Sequence, residues 1–415
     1  LERLRPPPHL HLFPYTTLFR SSRYMDRDQR LIEFCQQAVR IPSPSGQERE
    51  VAQLMKRKME EYGFDEVLID RYGSVLGRMR GRRPGKTILL DGHIDNVDVI
   101  DADEWTHDPF GGEIDQGRIY GRGTSDMKGS VTAMISAVAH FAEDSGRDFA
   151  GEICVSCTVH EECFEGVSSR EITRLAKPDF VIIGEATSTT VKIGQRGRAE
   201  VVVETEGVSC HSSNPDKGVN AVYHMMAVIE EIRRIIPNEH PILGKGILEL
   251  TDIISSPYPG ASVVPALCRA TFDRRTLTGE NEAVILGQVE EAIARAREKI
   301  PGLKARTYLA EGKEVCWTGE AIAAKRYFPA WLIDEDNEYV QKALAGLKKA
   351  GIEAPISHFS FCTNGSHFCG EAGIPCIGYG PSLESLAHVR DEYIEIEQLT
   401  KACRGFASIL RELTQ

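Results

Sequence analysis

The pattern of hydrophobic and polar positions between residues 25 and 190 switches repeatedly between a helical period and a strand period. Apolar spacing of three and four residues predicts helices at 47–62 and 128–143, and short apolar runs predict strands at 87–90, 153–159 and 180–183. The runs TILLD and DFVIIG are almost wholly apolar, as is typical of parallel strands covered on both faces. Strands separated by helices indicate an α/β fold with a mostly parallel sheet.

A different pattern begins after Ile193. Its predicted elements follow the order strand, helix, strand, strand, helix, strand, at 195–206, 219–235, 246–254, 267–273, 282–299 and 304–309. This order matches the ferredoxin-like split motif. The α/β pattern then returns, with predicted helices at 337–350 and 396–413. We therefore predict a main domain in two parts, 25–192 and 311–415, which is interrupted by an inserted ferredoxin-like α+β domain at 193–310.

The first 24 residues differ from those that follow. Residues 1–24 contain three consecutive prolines and show no helical period. They also lack the continuous apolar core that a signal peptide needs. We interpret Met25 as the native start and residues 1–24 as a non-native leader.

Composition narrows the class of protein. The chain has 415 residues, 41% hydrophobic and 27% charged, with a net charge of −12. This acidic balance argues against general binding to nucleic acid or to anionic membranes, and no apolar run reaches the ~18 residues of a membrane span. The 11 cysteines follow no framework spacing, which indicates free thiols in a reducing cytoplasm. We interpret the CxxC at Cys154 and Cys157 as core packing rather than a zinc site.

Five imidazole and carboxylate side chains lie next to predicted elements of the first sheet. His93, Glu162 and Glu185 follow strands, Asp126 opens a helix, and His388 follows the strand-like run IPCIGYG. Because ligands gather beyond the carboxyl ends of parallel strands, we expect the five to lie close together. Two imidazoles and three carboxylates suit a pair of divalent cations with one bridging carboxylate. Such a pair activates water and polarises a carbonyl, so the set indicates a metallohydrolase.

Neighbours of this set are candidates for supporting roles. Asp95 lies two residues after His93, and a carboxylate at that spacing can accept the second imidazole N–H and fix its tautomer. Glu161 and Glu162 are adjacent, so their side chains point in opposite directions on an extended segment. One can bind metal while the other moves a proton from the attacking water to the leaving amine. Spacing alone leaves open which residue does which.

Further candidates could contact the substrate. His211 lies in a turn-rich loop of the inserted domain, where a histidine suits oxyanion stabilisation; an ordinary loop histidine is the alternative. Arg275 ends a predicted strand and can clamp a carboxylate through two N–H donors; a surface ion pair is the alternative. Asn364 and Gly365 form the centre of the turn FCTNGSH. We predict that this turn and Arg275 hold a carboxylate of the substrate.

The stretches LLDGHID, GRGTSDMKG, CTVHEE, VIIGEAT and GPSLESLAH occur in this order. Together they resemble the M20 family of zinc aminoacylases and peptidases, which includes acetylornithine deacetylase and succinyl-diaminopimelate desuccinylase. The resemblance implies that His93 and Glu185 bind one metal ion and that Glu162 and His388 bind the other. It also implies that Asp126 bridges the two ions.

The same resemblance implies further roles. Glu161 would be the general base, Asp95 the orienting acid, and His211 the oxyanion donor that reaches into the partner subunit's site. The main domain would be catalytic, and the inserted domain would act as a lid and form a homodimer. A cis peptide is expected next to Asp126.

A finer resemblance is to the branch of selenium-metabolism-linked hydrolases. It is carried by GQRGRAE, GVSCHSS, DRR and TNG. Many family members have Asp where this chain has Asn364, and this departure weakens the transfer of deacetylase or desuccinylase substrate specificity to this chain.

The leading hypothesis is a cytoplasmic amidohydrolase with two divalent metal ions, with zinc ahead of cobalt or manganese. It would cleave an amide, peptide or N-acyl bond in a small substrate that carries a free carboxylate. A non-catalytic, metal-containing binding or assembly protein is the alternative, and the complete ligand set argues against it. A Rossmann dehydrogenase ranks below both because no GxGxxG follows the first strand.

Overall fold

A computed structural model describes residues 15–415, with side chains from residue 23 onward. Over this range the chain forms eight α-helices: α1 (Tyr15–Val39), α2 (Arg49–Glu61), α3 (Gly129–Ser145), α4 (Ser169–Ala176), α5 (Ala221–Ile232), α6 (Glu282–Lys299), α7 (Glu338–Lys349) and α8 (Ile396–Leu413). Residues 1–14 of the predicted leader lie outside the described residues, and α1 continues through Met25. Among residues 15–415, no helix is long and apolar enough to cross a membrane.

The described residues also form 21 strands, several of them only two or three residues long. The strands are β1 (Glu66–Ile69), β2 (Val75–Arg80), β3 (Arg83–His93), β4 (Ile114–Asp115), β5 (Arg118–Tyr120), β6 (Ala150–Thr158), β7 (Phe180–Ile183), β8 (Val191–Gln195), β9 (Gly197–Glu206), β10 (Glu239–His240), β11 (Gly244–Lys245), β12 (Ile247–Ser256), β13 (Leu267–Thr276), β14 (Lys304–Leu309), β15 (Glu311–Val315), β16 (Ala321–Lys325), β17 (Tyr327–Phe328), β18 (Trp331–Leu332), β19 (Ile356–Phe359), β20 (Cys376–Gly378) and β21 (Tyr393–Glu395).

The largest sheet has the strand order β1-β2-β6-β3-β7-β20-β8-β18, and β19 pairs with β8. The central strands β6, β3, β7 and β20 are parallel neighbours. Every residue of β7 is buried, as expected for an apolar strand that is covered on both faces. Helices α1, α3 and α8 share one hydrophobic core with this sheet. The predicted α/β fold with a mostly parallel sheet is confirmed.

The register of the central strands brings their carboxyl ends level. His93 at the end of β3 pairs with Thr158 at the end of β6, and Asp91 pairs with Ile183 at the end of β7. Loops that leave these three strands therefore begin at the same edge of the sheet, where ligands gather in open α/β folds.

A second, antiparallel sheet has the order β12-β13-β9-β14. Helices α5 and α6 pack on it and form a hydrophobic core separate from that of the first sheet. The chain order β9-α5-β12-β13-α6-β14 is that of the ferredoxin-like split motif. We call this unit the lid.

The change from one sheet to the other comes later than the sequence pattern predicts. Strand β8 ends at Gln195 and pairs with β18, β19 and β20 of the main sheet, so the predicted boundary after residue 192 falls inside a main-sheet strand. The predicted strand at 195–206 starts instead at Gly197. The strand-like pattern is continuous across Arg196, and a pattern of residues does not reveal where the chain changes partner. The pattern also did not predict the hairpin β15–β16.

Candidate metal centre and active-site cavity

The carboxyl ends of β3, β6 and β7 carry three of the predicted ligands. His93 ends β3, Glu162 follows β6, and Glu185 follows β7. The turn that holds Asp126 precedes α3, and the loop that holds His388 precedes β21. Imidazole nitrogens and carboxylate oxygens of these five residues fall into overlapping groups whose atoms lie within 4.8 Å of one another. The structure therefore brings the five predicted ligands together.

The first of these groups, the inner half-site, consists of His93, Asp126 and Glu185. His93 Nε2 lies 3.0 Å from Asp126 Oδ1 and 3.3 Å from Glu185 Oε1, with Glu161 Oε2 at 3.6 Å. The His93 side chain is 1% exposed and the Glu185 side chain 4%. One imidazole nitrogen donates one hydrogen bond, so it cannot satisfy three neighbouring carboxylates, whereas a cation can.

The second group, the outer half-site, consists of Asp126, Glu162 and His388. His388 Nε2 lies 3.0 Å from Asp126 Oδ2 and 3.1 Å from Glu162. The His388 side chain is 51% exposed, so this half-site is open to solvent. Asp126 therefore has one carboxylate oxygen next to the imidazole of each half-site. The Asp126–Met127 peptide bond is cis, as the resemblance implies.

The electrostatics of the site reflect crowded carboxylates. Burial raises the pKa of Glu162 to about 8, and the charge of Asp126 adds to the shift. Burial also raises the pKa of Glu161 well above its usual range, and the neighbouring Glu185 and Glu162 charges reinforce this. Hydrogen bonds to Asp126 and Glu162 raise the pKa of His388 to about 10. The protein thus holds protons at positions where a divalent cation would replace them.

Asp95 supports the site in a different way from the predicted one. His93 Nδ1 lies 2.8 Å from the backbone carbonyl of Asp95, whereas the Asp95 carboxylate is 3.6 Å away. That carboxylate instead accepts the backbone N–H groups of Glu161 and Glu162, at 3.0 and 3.1 Å, and the Ser45 hydroxyl at 2.7 Å. We predicted that the Asp95 carboxylate accepts the N–H of His93. In the structure the Asp95 backbone carbonyl contacts His93, and the carboxylate holds the backbone of Glu161 and Glu162.

A cavity of about 600 Å³ is lined by four of the five predicted ligands, and His93 lies behind them. The lining also includes Phe361 and Cys362 from the main domain, Arg198 from β9 and Arg275 from β13. Arg275 donates from Nε to Asp273 Oδ2 at 2.9 Å. Its two terminal nitrogens have no hydrogen-bond partner among the described residues. Arg275 therefore lines the cavity with two terminal nitrogens available to a ligand.

Sequence reasoning missed the position of Arg198. Its terminal nitrogens donate to Glu165 Oε1 and Glu200 Oε1, both at 2.9 Å, and its Nε lies 3.7 Å from Asp273 Oδ1. The signal was present in the strand alternation of GRAEVVVE, which puts Arg198 and Glu200 on one face of β9. The pairing with Glu165 joins distant segments and leaves no local signal.

The structure does not bring Asn364 and Gly365 to the cavity. Asn364 is buried; its Nδ2 donates to Asp91 and Thr158, both at 2.9 Å, and its Oδ1 accepts the Gly166 N–H at 2.8 Å. A Cβ at Gly365 would lie 2.5 Å from the Trp331 indole. The predicted role in substrate binding is therefore corrected to a structural one, because all the polar groups of Asn364 already have protein partners.

His211 also lies away from the cavity of its own chain. It sits on an exposed loop of the lid, where its Nδ1 accepts the Ser213 N–H at 3.1 Å, and it is absent from the cavity lining. The packing interpretation of the CxxC fits the structure, since Cys154 is buried and burial raises its pKa to about 12.

The sequence matches known proteins over most of its length. Residues 89–412 match the model of peptidase family M20/M25/M40. YgeY, an uncharacterized protein of Escherichia coli K12, is 32% identical over 389 residues, which cover 92% of this chain and 94% of YgeY. The chain belongs to peptidase family M20/M25/M40.

A named relative and a solved structure agree with this membership. Succinyl-diaminopimelate desuccinylase of Cereibacter sphaeroides (strain ATCC 17029) is 29% identical, over 90% of this chain and 96% of that enzyme. The crystal structure of YXEP of Bacillus subtilis, a dinuclear metal-binding peptidase of the M20 family, shares the fold with a TM-score of 0.70. It is 15% identical and covers 93% of this chain and 98% of that one. The chain is a metal-dependent hydrolase that acts on amide bonds, which excludes the dehydrogenase alternative.

Proposed function

We propose that this protein uses two divalent cations to hydrolyse an amide or peptide bond in a small substrate with a free carboxylate. N-acyl amino acids and dipeptides belong to this class. The observation that carries the proposal is the position of Asp126, whose two carboxylate oxygens each lie 3.0 Å from a different imidazole. A carboxylate shared in this way suits two neighbouring ions better than one.

The donor set fits such a pair of ions. His93 and Glu185 would hold one ion, Glu162 and His388 the other, and Asp126 both. Two nitrogen donors and three carboxylates suit zinc, with cobalt or manganese as alternatives. The dinuclear character of the Bacillus subtilis neighbour supports a pair of ions. When bound, the ions would lower the pKa of an attacking water and polarise the amide carbonyl.

Glu161 is the proposed general base. Its side chain is 7% exposed, lines the cavity and lies beside His93 rather than His388. Neighbouring cations would favour its ionised carboxylate, which is the form that accepts a proton. It takes one proton from the attacking water and delivers it to the leaving amine nitrogen. Asp95 holds the Glu161 backbone and so sets the direction of this carboxylate.

Arg275 is the proposed group that binds the substrate's carboxylate. Its Nε is engaged by Asp273, which orients the guanidinium and leaves its terminal N–H groups for a ligand. A planar fork of two N–H donors matches a carboxylate. The cavity of about 600 Å³ limits the substrate to a small molecule.

The lid is the proposed dimerisation surface, and His211 is the proposed oxyanion donor in the site of the other copy. Strand β12 is an edge strand, and Ile253 and Ile254 on it are exposed, as are Tyr223 and Met226 on α5. An open edge with apolar side chains favours pairing with a second copy. The cytoplasmic location and the link to selenium metabolism stay predictions from the sequence.

The test is metal content per chain by mass spectrometry, followed by a screen of dipeptides and N-acyl amino acids. We expect close to two zinc, cobalt or manganese ions per chain and amide hydrolysis that a chelator abolishes. The His388→Ala variant should hold about one ion per chain. A protein that binds no metal after incubation with zinc, cobalt and manganese would contradict the proposal.

A further inference from the structure

A buried ion pair lies directly behind the bridging carboxylate. Arg122 and Glu392 are 4% and 0% exposed, and Arg122 Nη1 donates to Glu392 Oε2 at 2.9 Å. The other oxygen of Glu392 accepts two consecutive backbone N–H groups, those of Ser125 and Asp126, both at 3.0 Å. Glu392 therefore holds the backbone of the residue that both half-sites share.

The same pair also holds the loop of the outer imidazole. Arg122 Nη1 donates a second hydrogen bond, at 3.1 Å, to the backbone carbonyl of Val389, the residue after His388. The Gly121 N–H donates to the Glu392 carbonyl at 2.8 Å, next to the pairing of β5 with β21. The turn of Asp126 and the loop of His388, far apart in sequence, are thus joined through one guanidinium and one carboxylate.

We propose that Glu392, held in place by Arg122, is a positioning residue that sets the bridging carboxylate of Asp126 against the imidazole of His388. This inference rests on the proposed function, because it assigns the pair to the two-ion site. Burying two charges costs free energy of solvation, and their mutual attraction often only offsets that cost. Positioning of the outer half-site explains why the chain keeps this pair at such depth.

Asp95 provides an independent parallel on the other side of the site. Its carboxylate also accepts two consecutive backbone N–H groups, those of Glu161 and Glu162. Each segment that supplies a carboxylate from a turn is therefore fixed by a buried acid from another segment. His93 and Glu185 come directly from strand ends, where the parallel sheet itself fixes the backbone.

The test compares three variants of the full chain. Glu392→Gln retains one acceptor oxygen but replaces the negatively charged partner of Arg122 by a neutral amide. Arg122→Lys keeps the charge but replaces the guanidinium, whose Nη1 contacts both Glu392 and the Val389 carbonyl, by an ammonium group on a shorter side chain. Glu280→Gln is the matched control, since Glu280 is a buried acid of the lid that accepts the Leu277 N–H at 2.9 Å and lies 3.4 Å from Arg274.

The readouts are Zn²⁺ affinity, measured by competition with a chromophoric chelator, and the visible absorption spectrum of the Co²⁺-loaded protein. Loss of a group that orients metal ligands weakens binding by about 10–100-fold. We expect this loss for one of the two ions in Glu392→Gln, a smaller loss in Arg122→Lys, and an altered Co²⁺ spectrum in both. Glu280→Gln should match the parent in both readouts.

Several outcomes would overturn the inference. Parent-like affinity for both ions in a folded Glu392→Gln protein would do so, as would an equal loss in Glu280→Gln. If Glu392→Gln does not fold, a Zn²⁺ affinity and a Co²⁺ spectrum like those of the parent in Arg122→Lys would also overturn the inference. A parent protein that binds no metal would overturn the proposed function itself. Two tightly bound ions in the parent and in every variant would overturn only the role of Glu392.

Discussion

Two walls of the cavity differ in how their charges are balanced. The sheet wall, formed by Asp126, Glu161, Glu162, Glu185 and His388, holds four carboxylates against one imidazole, with His93 behind them. On the lid wall, formed by Arg198 and Arg275, each guanidinium already has a carboxylate partner.

This difference assigns separate tasks to the two walls. The sheet wall is electrostatically incomplete without cations, because buried like charges raise one another's pKa. On the lid wall each guanidinium is already paired with a carboxylate, so this wall selects a ligand by the geometry of its remaining donors. Changes in the sheet wall should therefore affect metal binding and kcat, and changes in the lid wall should affect KM.

The largest expected effect is on the sheet wall, at Glu161. Glu161→Gln keeps the shape of the side chain and removes its ability to accept a proton. Loss of a general base costs about 10²–10⁴-fold in kcat, and metal content should stay at the parent value. Steady-state kinetics on the best amide substrate, with metal analysis of the same sample, measure both quantities. Turnover above a tenth of the parent value would show that Glu161 is not the base.

The second prediction separates the two half-sites by their burial. In the metal-free protein, His93→Ala leaves three carboxylates, two of them buried, without their shared imidazole, which should lower the free energy of unfolding by about 3–5 kcal/mol. His388 is half exposed, so His388→Ala should cost about 1 kcal/mol or less. Urea unfolding of chelator-treated protein gives both values. Equal losses in the two variants would contradict the difference between inner and outer half-sites.

Much of this centre could be predicted from the sequence because strand ends are local features. His93, Glu162 and Glu185 follow apolar runs, and the carboxyl ends of adjacent parallel strands share an edge. These inferences needed only the periodicity of single segments and one rule about parallel sheets.

The rest depends on partners that lie far apart in the chain. Asn364 sits in an apparent surface turn, but it is buried because Asp91, Thr158 and Gly166 converge on it from three other segments. Glu392 lies in a polar stretch, AHVRDEYI, in which nothing marks it as buried. Hydrogen bonds between distant segments leave no periodic signal in the sequence. The residues that hold the site in place could therefore be identified only from the three-dimensional structure.

The third prediction concerns Glu48, a buried acid behind the sheet wall. Its Oε1 accepts the Gly46 N–H at 3.0 Å, and burial together with the charge of Asp95 raises its pKa to about 7. Between about pH 4.5 and 7 the folded protein therefore binds more protons than the unfolded chain. Stability of the metal-free protein should fall as pH rises through this window.

Glu48→Gln should remove this part of the pH dependence, which amounts to about 3 kcal/mol between pH 4.5 and 8. The measurement is the difference in free energy of unfolding between variant and parent at pH 5 and pH 8. Glu50→Gln, which alters an exposed acid in the first turn of α2, two residues after Glu48, is the control and should leave the pH dependence unchanged. A parent-like slope in Glu48→Gln would show that Glu48 titrates normally.

The smallest effect is expected on the lid wall, at Arg275. Arg275→Lys keeps the positive charge but replaces a planar fork by a single ammonium group, which cannot bind a carboxylate through two parallel N–H donors. Loss of one charged hydrogen bond should raise KM by about tenfold and leave kcat nearly unchanged, because the carboxylate is held equally in the ground and transition states. Arg295→Lys is the control, since Arg295 pairs with Glu231 on the lid and is absent from the cavity lining. If Arg275→Lys instead lowered kcat at constant KM, the lid wall would share in the chemistry, and the division of tasks between the two walls would be wrong.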